Sequence, residues 1–173
     1  MIRRPLAIAL ALCLSTAALA HETDDHEGRD RSRVMGGLNA DEGETVGDME
    51  TVNGGISVEE RAHAGSLQTV NGGITVRQTD VGGRIRLVNG DVTVGAKSHV
   101  HGGILVEKNK GIDFGWSNRK PRVPRIIIGP NAIVDGELRF ERKVDRYVHT
   151  TAKVGTVIGA TAQPYTDTIP ERD

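Results

Sequence analysis

Thr69 to Val76 reads TVNGGITV. Eighteen positions earlier, Thr51 to Val58 reads TVNGGISV, and eighteen positions later, Leu87 to Val94 reads LVNGDVTV. A phrase repeated at one fixed interval marks a structural unit stacked on copies of itself. Extending the frame in both directions, positions 46, 52, 58, 64, 70, 76, 82, 88, 94, 100 and 106 carry nine valines, one alanine and one glycine. At Gly82 the neighbouring Val81 supplies the missing side chain. Two further apolar series recur every eighteen residues: Met49, Leu67, Ile85 and Ile56, Ile74, Val92.

A six-residue step does not fit a helix, and Gly pairs recur where a helix would break. Short alternations such as Ile56-Ser57-Val58 read as strand. Three six-residue faces make one coil of eighteen, so the sequence predicts an all-β fold: a single-stranded parallel β-helix with about 18 residues per coil. Val52, Val70, Val88, Val58, Val76 and Val94 are the expected core ladder. Asn53, Asn71 and Asn89, followed by Gly54, Gly72 and Gly90, are the expected corner ladder. Asn and Gly tolerate the positive φ of a tight corner, the glycines keep that corner free of clashes, and stacked amides hydrogen-bond up a column. The shift at His101-Gly102-Gly103 predicts one residue of slip. The period resumes at Ile128, Val134 and Phe140, then at Val148, Val154 and Ala160 after a two-residue slip.

The rest of the chain frames this solenoid. Residues 1–20, MIRRPLAIALALCLSTAALA, have a basic start, a short apolar stretch and Ala18-Leu19-Ala20, the form of a secretory signal cleaved after Ala20. Cys13 follows Leu12, where a lipoprotein signal wants a small residue. Removal leaves 20 basic and 23 acidic residues and no cysteine, which excludes disulfides, a thiol nucleophile and thiolate metal sites. The expected product is soluble and exported, to a bacterial periplasm. Residues 21–40 read as a disordered acidic segment. The β-helix is expected over 41–162, in about six coils, with an irregular loop at 107–125 holding Phe114 and Trp116. Residues 163–173 read as a C-terminal tail.

The V-N-G-[GD]-[IV]-x-V units resemble the β-helical adhesin-like repeats of exported bacterial proteins. Ile126 to Phe140, IIIGPNAIVDGELRF, resembles bactofilins, the polymer-forming β-helix proteins, in which an apolar-Gly-Pro-Asn/Gly-Ala element starts a coil. The resemblance implies a short β-helix able to associate and brings no catalytic residues. Bactofilins are typically cytoplasmic or bound to the inner membrane face, so their cytoskeletal role does not carry over to an exported chain.

The leading functional expectation is a non-enzymatic structural or adhesive module with no cofactor. Its partners would be further copies of itself, as a homo-oligomer or filament. Residues 21–50 hold ten acids against three Arg, and residues 119–146 hold eight bases against four acids. Opposite charge at the two ends favours head-to-tail contact; alternatively, the charged flanks are caps that prevent it.

Two other readings rest on histidines. His21 would become the N-terminus, and with His26 among acids it offers a metal-binding tail. His99 and His101 flank Val100; if Val100 faces inward, both imidazoles face outward, roughly 7 Å apart, as candidate metal ligands. Paired with His63 or His149 of another subunit, they would suit a trimeric hexapeptide-type enzyme, an acyltransferase or a zinc carbonic anhydrase. Against this, the residues following the sixfold apolar positions (Gly47, Asn53, Glu59, Gly65, Asn71, Arg77) are too mixed for the hexapeptide pattern. No catalytic triad or phosphate loop is present, and the bases do not interleave with aromatics as in nucleic-acid binders.

Overall fold

The computed structural model describes residues 28–108 and 122–167. They form a β-solenoid of about seven turns with no helix. Accordingly, no helix among them is long and apolar enough to cross a membrane. The first coil holds β1 (Arg31–Met35) and β2 (Leu38–Ala40), and Thr45 bridges onward to His63. The second holds β3 (Met49–Asn53), β4 (Ile56–Val58) and β5 (His63–Ala64). The third holds β6 (Leu67–Asn71), β7 (Ile74–Val76) and β8 (Asp80–Val81). The fourth holds β9 (Ile85–Asn89), β10 (Val92–Val94) and β11 (His99–Val100). The fifth runs from β12 (Ile104–Val106) to β13 (Arg125–Ile128) and β14 (Ile133–Val134). The sixth holds β15 (Leu138–Phe140), β16 (Asp145–His149) and β17 (Lys153–Val154). The last holds β18 (Val157–Ile158) and β19 (Ala162–Tyr165).

Stacking these coils makes three parallel sheets: β1-β3-β6-β9-β12-β15-β18, β2-β4-β7-β10-β13-β16-β19, and β5-β8-β11-β14-β17. Equivalent apolar residues form inner columns. Met49, Leu67, Ile85, Ile104 and Leu138 run up the first sheet, Ile56, Ile74, Val92 and Ile126 up the second, and Ala64, Val81, Val100 and Val134 up the third. All are buried, each Val, Leu, Ile or Met side chain contributing about 1.5–3 kcal/mol by its removal from water. The predicted slips are present: Ile85 pairs with Ile104, and Ile126 with Arg146.

Half of the expected core ladder is displaced. Val58, Val76 and Val94 are buried, but Val52, Val70 and Val88 are only half-buried, and the inner positions beside them belong to Thr51, Thr69 and Leu87. A sixfold count assumes three equal faces. The faces are unequal: along one coil the inner residues are Met49, Thr51, Ile56, Val58, Ala62 and Ala64, so the longest stretch between them, Thr51 to Ile56, spans the Asn-Gly corner. Strand alternation from Met49 then turns residue 51 inward and residue 52 outward. Threonine suits this place because its hydroxyl reaches the corner below. Thr51 Oγ1 donates to Gly36 O at 3.0 Å and Thr69 Oγ1 to Gly54 O at 2.9 Å.

Three boundaries also move. The segment expected to be disordered over 21–40 is in strand from Arg31, and β19 occupies the start of the expected tail. The loop expected over 107–125 ends where β13 begins, at Arg125. Its centre, with Phe114 and Trp116, lies outside the described residues.

Candidate functional site

The repeated Asn-Gly corner is the first site the sequence singles out. Asn71 Nδ2 donates to Asn53 Oδ1 at 3.1 Å, and Asn89 Nδ2 to Asn71 Oδ1 at 3.0 Å, so the amide ladder is continuous. Arg142 ends it, donating from Nη1 to Asn89 Oδ1 at 2.9 Å and from Nη2 to Arg122 O at 3.1 Å. Of the two reasons expected for the glycines, freedom from clashes holds at all three and positive φ at one. Of the three, only Gly90 has positive φ. A Cβ on Gly54, Gly72 or Gly90 would stand 2.1, 1.9 or 1.9 Å from the carbonyl oxygen of Gly36, Gly54 or Gly72, the corner beneath. Stacked backbone, not backbone conformation, excludes a side chain at Gly54 and Gly72. Each side-chain oxygen of the ladder accepts from the amide above or from Arg142, which makes the corner structural.

A second corner carries positive φ coil after coil. Gly43, Arg61, Gln78, Lys97 and Asn131, each between the second and third sheets, have φ between 43° and 71°. Four of the five are not glycine, which hid this corner from sequence reading.

The chemistry gathers on the outer face of the third sheet. Val100 is buried, so His99 and His101 both point outward as expected. They are closer than the strand repeat alone predicts, with ring centroids 3.8 Å apart and the planes inclined by 33°. Two carboxylates draw them together. Asp80, on the preceding coil, is the Cα partner of His99, and its Oδ2 lies 3.1 Å from His101 Nε2 and 4.0 Å from His99 Nδ1. Asp135 follows Val134 on the next coil, and its Oδ2 lies 2.6 Å from His99 Nε2 and 3.6 Å from His101 Nδ1. All four side chains remain between a third and just over half exposed.

Below this cluster the outward positions following the inner residues are Gly47, Gly65 and Gly82, which leave the sheet bare. They floor a shallow groove of about 490 Å³ flanked by Asp30, Asp48, His63 and Asp80. Asp30 and Asp48 are anchored: each Oδ1 accepts an amide of the coil above, from Asp48 at 2.8 Å and from Ser66 at 2.6 Å.

The other candidate histidines do not join the cluster. His149 lies on the second sheet, where its Nδ1 meets Thr151 Oγ1 at 2.9 Å and its Nε2 meets Thr166 O at 2.8 Å. His63 pairs in register with Asp80 one coil below. His21 and His26 lie outside the described residues.

Asp80 and Asp135 had no place in the sequence reading. The coil from His63 to Asp80 is 17 residues, the next is 19, and the step from His99 to Ile133 is 34. Asp80 was in reach of a count that allowed a 17-residue coil, but Asp135 required the length of the excursion. The chain matches no protein-family model, no curated protein and no solved structure.

Proposed function

We propose that this protein is a non-enzymatic, exported structural module, a discrete rod that acts through its long faces. The observation that carries the reading is the way the two ends are finished. On β1, Arg31 and Arg33 stand in register with the buried Met49 and Thr51, so arginine takes the place of a core residue in the terminal coil. Arg31 reaches across the coil to Asn39 O and to the Glu44 carboxylate. The Asp41 amide, and after it the Arg31 guanidinium, hold the Glu44 carboxyl below the usual carboxylate range. Arg33 Nη1 donates to Gly37 O at 3.0 Å. At the other end, β19 pairs among the described residues only with β16 and carries Pro164, which has no amide hydrogen to offer a further strand. Inward charges and edge prolines are devices by which sheets block addition of another strand.

Between the two finished ends, the repeated coil supports a rigid spacer with periodic outer columns, in keeping with the likeness to adhesin-like repeats. Head-to-tail polymerisation is the competing reading. Its support is charge: described residues 28–48 carry five acids and three bases, residues 139–167 five bases and three acids. Val34 and Met35 at the first edge are also 61% and 77% exposed.

Light scattering and negative-stain microscopy across protein concentration and salt separate these readings. The expected result is short monomeric rods throughout, with filaments appearing only for Arg31→Ile/Arg33→Val/Pro164→Val. Filaments of the unaltered protein would overturn the proposal. Export is tested by the N-terminus of the protein recovered outside the cytoplasm, which should be His21.

A further inference from the structure

The His–Asp cluster on the third sheet is not needed to finish the ends, nor does it bury core. We infer that Asp80, His99 and His101 form a binding site for a late first-row divalent transition ion, zinc foremost, with Asp135 orienting the two imidazoles.

The donor geometry comes first. One atom from each of Asp80, His99 and His101 can be chosen so that all three lie within 4.8 Å of one another. Ligands of tetrahedral zinc, bound at about 2.0–2.2 Å, stand about 3.3 Å apart. Asp80 Oδ2 is already 3.1 Å from His101 Nε2 and 4.0 Å from His99 Nδ1. Small rotations of exposed side chains close the remainder.

The outer partner comes second. Asp135 Oδ2 faces the opposite nitrogen of each ring, His99 Nε2 at 2.6 Å and His101 Nδ1 at 3.6 Å. When Asp135 accepts those two N–H groups, the tautomers place the lone pairs on His99 Nδ1 and His101 Nε2, the two atoms nearest Asp80. A carboxylate behind a ligating histidine is the usual way a protein sets tautomer and ring orientation.

Charge and ligand type come third. With neutral imidazoles the cluster carries two carboxylates, which a dication balances. Two nitrogens and one carboxylate oxygen suit zinc, copper or nickel; calcium and magnesium prefer all-oxygen sets. Three protein ligands leave a fourth position for water or for a group from another molecule. The strands supply rigidity: His99 and His101 flank buried Val100, and Asp80 is the backbone neighbour of His99. The site stands independently of the structural reading above.

Zinc and cobalt(II) binding to the full mature chain tests this, using a His21→Ala/His26→Ala parent so that the N-terminal histidines do not compete. The expected result is one ion per chain, a tetrahedral cobalt(II) spectrum, and zinc-induced shifts of the His99 and His101 ring nitrogens by NMR. Affinity should fall more than tenfold in His101→Ala and Asp80→Asn. Asp135→Asn should weaken binding about 10–100-fold while keeping one ion per chain. All three side chains are partly exposed, so circular dichroism should show each variant folded. If a variant unfolds, the NMR shifts of the parent decide alone. No uptake by the parent, equal affinity in parent and His99→Ala/His101→Ala, or unshifted ring nitrogens would overturn the assignment and leave a set of hydrogen bonds.

Discussion

Alanine at Gly72 should cost much stability and alanine at Gly73 little, although the two glycines are adjacent and both follow Asn71. A Cβ on Gly72 would lie 1.9 Å from Gly54 O, where ordinary contact begins at 3.4 Å, so the two corners must part by about 1.5 Å. Strands stack only about 4.8 Å apart, so the ladder cannot absorb that locally. Gly54 N donates to Asn71 O at 3.0 Å and Ile56 N to Gly73 O at 2.9 Å across the parted corners, and at least these two bonds would be stretched past usefulness. Two net hydrogen bonds at about 1 kcal/mol each, with overpacking strain of about 1–3 kcal/mol, give a loss of about 3–5 kcal/mol for Gly72→Ala. Gly73 is exposed, and its Cβ would meet Asp91 O at 3.3 Å, a few tenths of an ångström from comfort. Gly73→Ala also restricts the unfolded chain, a gain of about 0.4–1 kcal/mol, so its net effect should lie within about 1 kcal/mol of zero. Urea unfolding followed by circular dichroism reads both numbers. Values closer to each other than about 1 kcal/mol would refute stacked backbone as the reason for glycine at this corner.

Three further outcomes are expected in the same assay. Thr69→Val should cost about 1–2 kcal/mol, because it orphans the half-buried Gly54 carbonyl, whereas Val70→Thr on the outward side should stay within about 0.5 kcal/mol. The reverse ranking would restore the sixfold frame as the true core register. Gln78→Gly should stabilise by about 0.5–1 kcal/mol by relieving a left-handed residue, net of glycine's greater unfolded-state freedom, and a loss of stability would show that the corner is not strained. Arg146 is 6% exposed with Nε and Nη1 unpartnered among the described residues, and burial lowers its pKa; Arg146→Met should therefore stabilise by about 1–3 kcal/mol, and destabilisation would reveal a partner for the guanidinium.

The solenoid was legible because its signal is redundant. Ile56, Ile74 and Val92, or Met49, Leu67 and Ile85, recur at an interval that only stacked coils of that length bury together. The amide ladder was equally legible, since Asn53, Asn71 and Asn89 share one place in the repeat. What the linear period could not resolve is phase within a coil. Nothing in TVNGG says whether Thr or Val turns inward until the lengths of the three faces are known, and those depend on how each corner folds. The same limit hid Asp80 and Asp135. Composition and period alone determined a stacked β-coil. Tertiary structure decided which side of each strand faces the hollow and which residues from coils of 17, 19 and 34 residues meet on the outer face, because a side chain's neighbours above and below are set by hydrogen-bond register and not by distance along the chain.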